Sequence, residues 1–176
     1  MKLIPHPDTG GGPVTGIEAF VVRVPHGLRV LFWVKGEIGA IVVPGEVGPE
    51  RTNELWRHTC FELFVKGEGA AYAEYNFSTS GQWAAYGFDD YRAGMRKVEV
   101  AAPAISVKLD HGRLAPMATV GLPKWLRGSA LQCNLTAVIE GVDGQRYYWA
   151  LAHPANEHNL PPDFHDPSCF LASLPE

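Results

Sequence analysis

The chain has 176 residues, 46% of them hydrophobic and 19% charged, with a formal net charge of -4 and a pI near 6.0. That length suits a single domain spanning residues 1–176, and the hydrophobic fraction excludes a disordered polymer. The acidic balance argues against a nucleic-acid surface or a polybasic membrane patch, and no apolar run approaches the length of a membrane-spanning helix.

In chain order, the N-terminal stretch MKLIPHPDTGGGPVTG is interrupted by Pro5, Pro7 and a glycine run. Those breaks oppose a secretory apolar segment, so the expected localisation is cytoplasmic. Strand-length segments rich in β-branched and aromatic residues follow at 17–24, 28–35, 38–43, 60–66, 72–78 and 82–88. Later segments of the same kind lie at 97–100, 105–110, 113–120, 131–140, 147–152 and 169–174. Glycines between apolar runs predict tight hairpins at Pro25-His26-Gly27, Asp110-His111-Gly112 and Val142-Asp143-Gly144. Short helical turns are predicted at 50–55 and 123–127, the second with Pro123 as first helical residue and Gly128 as the stop. Cys60, Cys133 and Cys169 are odd in number and lack CxxC spacing, which indicates reduced, buried thiols rather than a zinc site or a disulfide framework.

About twelve strands without repeats, alternating helices or an internal linker predict an all-β fold, a two-sheet antiparallel β-sandwich of jelly-roll-like form. A closed barrel is the alternative. The charged residues of 97–100 and Lys108 are of the kind that blunts an edge strand. A binding site is then expected on the concave face of one sheet or in the loops at one end.

The segment between Leu55 and Met95 is the richest in chemistry, interleaving Trp56, His58, Glu62, Glu74, Asn76, Gln82, Trp83 and Tyr86. Aromatics, amides and carboxylates so mixed suit stacking on a polar ring and hydrogen bonding to its edges. Within 60–66, period-two alternation sends Phe61, Leu63 and Val65 to one face and Cys60, Glu62 and Phe64 to the other. The first face is core. The second sets a carboxylate between a thiol and a phenyl ring, where it needs partners or water to stay charged.

These residues carry a resemblance. A Trp-x-x-x-x-x-Glu spacing from Trp56 to Glu62, an apolar strand and an Asn-x-x-x-x-Gly element from Asn76 to Gly81 resemble the family-nine carbohydrate-binding modules and the wider DOMON-like group. His153-Pro154, then Pro162-Asp163-Phe164-His165-Asp166-Pro167 and a last strand through Phe170 and Leu174, are similar to the close of such a sandwich. The resemblance implies a non-catalytic DOMON-like sandwich that binds sugars in some members and haem in others. It implies that Trp56 stacks on a sugar ring and that Glu62 hydrogen-bonds hydroxyls. The chain departs from the family at two points: the late loop offers Phe164 where a second stacking tryptophan would stand, and Arg57-His58-Thr59 replaces an acidic pair. With no secretory segment or attached enzyme expected, the implied ligand is a small molecule rather than bulk polysaccharide.

The expected ligand site comprises Trp56, His58, Glu62, Asn76 and Tyr86 with His153, Asp163 and His165 from the late loop. The ligand is a small polar molecule, a saccharide first; no nucleic acid, membrane, metal or cofactor is expected. Each residue has a structural alternative. Trp56 would plug the end of the core, and Glu62 would form an ion pair with Arg57, Arg92 or Arg96. Trp83, Tyr75 and Phe77 fall at strand spacing and read mainly as core, with Trp83 also a minor ligand candidate. Asp89-Asp90-Tyr91-Arg92 reads as a turn with a local ion pair, although Asp89-Asp90 with Glu74 also suits calcium. Two other functions compete: a small enzyme using Glu62, His58 and His165 or Asp163 as acid–base groups, and a haem protein ligated by Met95 or Met117 with His58 or His165. No nucleophile elbow, phosphate loop or HExxH motif supports an enzyme.

Overall fold

A computed structural model describes residues 1–110, 112–155, 158 and 160–176. Its strands are β1 (Lys2–Pro5), β2 (Val14–Val24), β3 (Gly27–Gly36), β4 (Cys60–Lys66), β5 (Tyr72–Ser78) and β6 (Trp83–Phe88). They continue with β7 (Arg96–Lys97), β8 (Ala104–Asp110), β9 (Arg113–Gly121), β10 (Leu131–Glu140), β11 (Arg146–Ala150) and β12 (Ala172–Leu174). The fold is an all-β antiparallel sandwich, as expected.

The first sheet runs β8-β9-β3-β2-β1 and the second β11-β10-β4-β5-β6-β7, with β12 also paired to β10. Strand β1 joins them: Lys2 and Leu3 pair with Glu18 and Ile17 of β2, while Ile4 and Pro5 pair with Ala150 and Trp149 of β11. The sheets pack through their inner faces. Phe32 of β3 meets Phe61 of β4 with ring centroids 5.1 Å apart, among Val30, Val34, Leu63, Val65 and Tyr75. β7 and β8 are the free edges, and their neighbourhood carries the charges that discourage further pairing.

Several local expectations are corrected. Residues 38–43 do not form a strand: Ile38–Ala40 is a 3-10 turn, and only Ile41 bridges to Gly141. The edge segment at 97–100 shrinks to the two-residue β7, and the last strand begins at Ala172 because Pro167–Cys169 forms another 3-10 turn. Pro167 lacks the N–H that a strand would donate, and Asp166 caps the turn by accepting from the Ser168 amide at 2.8 Å. The helical turn expected at 50–55 lies instead at Leu55–Arg57, and Pro123 precedes the turn Lys124–Leu126 rather than opening it. Strand β1 was hidden by its proline and its short apolar run.

The β2–β3 hairpin pairs Val24 with Gly27, so Pro25 and His26 alone make the turn and His26 takes the positive φ of 66°. Gly27 serves close approach instead, because a Cβ there would lie 1.9 Å from the Val120 carbonyl oxygen. In the β8–β9 hairpin, Asp110 pairs with Arg113, and His111 lies outside the described residues. The third hairpin turns at Gly144, with φ of 80°.

Candidate functional site

The outer face of the second sheet is buried, unlike that of the first. One cross-strand row reads Ala150, Thr136, Glu62, Asn76 and Ala84; the next reads Asn134, Phe64, Glu74 and Tyr86. Residues on this face join Leu55, Phe164 and Phe170 in an apolar cluster separate from the inter-sheet core, with Trp56 packed against it. Above the rows lies a cavity of about 310 Å³. Its floor and walls include Glu62, Phe64, Glu74, Phe88, Val138 and Tyr148; Arg92 and Met95 come from the β6–β7 connection, and Pro161, Pro162, Phe164 and His165 from the late loop.

Trp56 stands on this cavity because Leu55, its buried neighbour, anchors the 3-10 turn to the sheet. Glu54 begins that turn in the left-handed region at φ 62°, and an exposed Arg57–Glu54 ion pair at 2.9 Å spans it. The indole is half-buried and meets Tyr86 edge-on at 6.1 Å. Tyr86 donates its hydroxyl proton to Asn53 Oδ1 at 3.0 Å and so supports the turn from beneath.

Two carboxyls lie on the cavity floor. Glu62, 3% exposed, accepts a hydrogen bond from the Thr136 hydroxyl at 2.6 Å. Glu74, 5% exposed, accepts from Asn76 Nδ2 at 2.7 Å, and Asn76 Oδ1 in turn accepts a weak bond from the Cys60 thiol at 3.6 Å. Because Glu62 faces Asn76 across the β4–β5 ladder, Glu74 is its diagonal neighbour on the same face. Burial raises the Glu62 pKa well above the ordinary 4.5, and the Glu74 charge raises it further against the Thr136 bond. Glu74 is likewise raised by burial, opposed by its bond from Asn76 and by the Arg92 charge.

The structural ion pair considered for Glu62 is not formed. Arg57 pairs with Glu54, Arg96 with Asp89 at 2.5 Å, and Arg92 with Asp163 at 2.8 Å. The local pair in the Asp89 turn is therefore made by Arg96, and Arg92 ties that turn to the late loop. Arg92 sits at φ 52°, a rare conformation for a long side chain, and its amide donates to the Tyr72 hydroxyl at 3.2 Å.

The late loop is pinned from several directions. Asp163 accepts from Arg92, from the Tyr91 hydroxyl and from the His165 amide at 3.1 Å. Burial opposes its ionisation, but these donors hold the carboxyl below the usual range. The fully buried Asn134 donates to the Phe164 carbonyl at 3.0 Å. His165 Nδ1 lies 2.7 Å from the Tyr72 hydroxyl, which already accepts from Arg92. A neutral imidazole that accepts the phenol proton at Nδ1 carries its own proton on Nε2, 3.8 Å from Glu74 Oε2. Burial, helped by the Arg92 charge, pushes His165 down to about 4, so the imidazole is neutral near pH 7.

Of the expected site residues, the fold brings Trp56, Glu62 and His165 onto the cavity. Asn76, Tyr86 and Asp163 lie behind them, holding Glu74, the Trp56 turn and the late loop. Two histidines stand apart. His58, with a side chain 67% exposed, pairs with Glu140 at 2.8 Å; His153 packs on His6 at 4.9 Å, with Nε2 3.2 Å from the Ile4 carbonyl. Glu74, Arg92, Phe88 and Tyr148 also line the cavity without having been placed in the expected site. Strand alternation could have found Glu74, which lies two residues before Asn76 on the same face.

Haem does not fit these residues. Met95 and His165 do share the cavity, but both His165 nitrogens face protein partners, and about 310 Å³ is at the low end of small-ligand sites. Met117 lies on β9 of the other sheet. Among the described residues, no three His, Cys, Asp or Glu side chains gather as a metal-ligand group.

No protein-family model matches the chain, and no curated protein matches its sequence. Solved structures do match. A candidate carbohydrate-binding protein from Bacteroides uniformis superposes with a TM-score of 0.68 at 16% identity, over 98% of this chain and 85% of that one. A family-9 carbohydrate-binding module from Caldicellulosiruptor kristjanssonii, in complex with cellotriose, gives 0.55 at 11% identity over 99% of this chain and 81% of its own. A glucose complex of such a module from the same organism gives 0.51 at 12% identity, covering 91% and 75%. The chain has the β-sandwich fold of these carbohydrate-binding proteins, family-9 modules among them.

Proposed function

We propose that the chain is a DOMON-like binding domain that recognises a small saccharide in the cavity on the second sheet, by binding rather than turnover. The observation that carries this reading is the meeting, in one cavity, of the half-buried Trp56 with the buried carboxyls of Glu62 and Glu74. An indole face suits the apolar face of a pyranose, and the carboxyl oxygens suit its hydroxyls. Two fold neighbours are modules in complex with glucose or cellotriose, which supports a sugar as the first ligand to try. About 310 Å³ favours one or two sugar rings over a polymer, and the reading places the domain in the cytoplasm.

Calorimetric titration against mono- and disaccharides tests the proposal. Binding by the parent protein and its loss in Trp56→Ala are the expected results; absence of saccharide binding in the parent refutes it. A second reading draws on the carboxyl pair. Two buried carboxyls with raised pKa values beside a neutral imidazole are also an acid–base set, now Glu62, Glu74 and His165, with the exposed His58 outside it. Chromatography of saccharides after prolonged incubation with the protein distinguishes turnover from binding.

A further inference from the structure

We infer that the saccharide taken by this cavity carries a positively charged amino group, seated between Glu62 and Glu74. This deepens the saccharide reading and rests on it.

The acidic and basic side chains lining the cavity are Glu62, Glu74, Arg92 and His165. Two of them add no net positive charge. Arg92 directs both Nε, at 3.2 Å, and a terminal nitrogen, at 2.8 Å, to Asp163 Oδ1, so the pair is neutral as a unit even though the guanidinium still lowers the Glu74 pKa. His165 is neutral. The two glutamates remain, and among the described residues neither forms an ion pair with a lysine or arginine. Their protein donors are a threonine hydroxyl and an asparagine amide.

Two carboxyls that are diagonal neighbours on one sheet face, each at most 5% exposed, are costly to ionise, and Glu74 opposes charge on Glu62. Amides would serve hydroxyl groups without that cost, and Asn76 and Asn134 show that the same sheet face accommodates them. A primary ammonium answers both carboxyls at once: it offers three donors and the missing charge. The walls suit a cation as well, since Trp56, Phe64, Phe88 and Tyr148 present aromatic rings to the cavity. The raised carboxyls, which an ammonium draws into their ionised form, and the aromatic walls around it thus favour the same group.

The test compares matched sugars by calorimetry at fixed pH and salt: D-glucosamine, D-galactosamine and D-mannosamine, their neutral parents, and their N-acetyl derivatives. At least one amino sugar should bind about tenfold or more tightly than both its parent and its N-acetyl form, equivalent to about 1.4 kcal/mol. The preference should shrink in Glu62→Gln and Glu74→Gln, with folding checked by circular dichroism. Equal or tighter binding of the neutral parents to the wild-type protein overturns the inference and leaves the saccharide reading standing. Failure of every sugar to bind overturns both. An amino-sugar preference that survives in the folded double variant overturns the assignment to the two carboxyls.

Discussion

The two outer faces of the sandwich differ more than their strand patterns suggest. On the first sheet, β2 and β3 alternate buried with exposed or half-buried residues, so Phe20, Val22, Arg29, Trp33 and Lys35 stand in contact with solvent. On the second, β4, β5 and β6 are buried along almost their whole length, although β4 alternates in sequence much as β3 does. The difference lies in cover: the late loop and the Trp56 turn lie over the second sheet, whereas the outer face of β2 and β3 is open. A face left open can bear charges at little cost. A covered face makes each polar group expensive, and the polar groups kept there, Glu62, Glu74, Asn76, Asn134 and Thr136, form the floor and frame of the cavity.

Truncation across the two faces should separate them most strongly. Phe64, 1% exposed and packed on His165 at 5.1 Å, should lose about 3–5 kcal/mol of stability as Phe64→Ala, the cost of a core aromatic. Urea unfolding measures this, and a loss near zero would mean that the late loop does not cover the sheet in solution. Next in size is binding. Glu62→Gln should weaken amino-sugar binding by about 1.5–3 kcal/mol, the worth of a hydrogen bond to a carboxyl that the ammonium draws into its ionised form, without loss of fold. Trp56→Ala should also lose binding, yet cost less stability than Phe64→Ala because the indole is only half-buried. Calorimetry and thermal melting, run on the same samples, read both effects.

The pH dependence of stability sharpens the contrast further. With carboxyl pKa values raised in the folded state, the native protein holds more protons than the unfolded chain from the ordinary 4.5 upward, so stability should fall as pH rises through neutrality. His165 acts in the opposite sense: lowered from 6.5 to about 4, it costs stability as pH falls across that interval. Between pH 6.5 and 8 the carboxyls therefore act alone, and a decline of about 1–2 kcal/mol is expected. Glu62→Gln should flatten it in a pH series of denaturant melts. The smallest effect belongs to the open face, where Val22→Thr, at a position 52% exposed, should change stability by no more than about 0.5 kcal/mol.

The all-β class, the alternation of β4, the hairpins at Pro25 and Asp143 and the blunted edges were legible in the sequence because each depends on neighbours along the chain. Period two and turn chemistry are local properties. So was the suspicion about Glu62, since a carboxylate between Cys60 and Phe64 is anomalous in any strand. Its partners were not legible. That Arg92 would turn to Asp163, 71 residues away, and leave Glu62 to Thr136, 74 residues away, depended on how the loops return over the sheet. Glu74 shows the same division: its face followed from its distance to Asn76, but its burial did not, because cover by residues 161–165 is a long-range contact with no sequence period. His58 and His165 have the same titratable side chain, yet one is exposed beside Glu140 and the other is neutral beneath the late loop. The sequence by itself determined which side chains share a face of a strand; only the tertiary structure decided which face is covered, and therefore which carboxyls lose water and which histidine loses its charge.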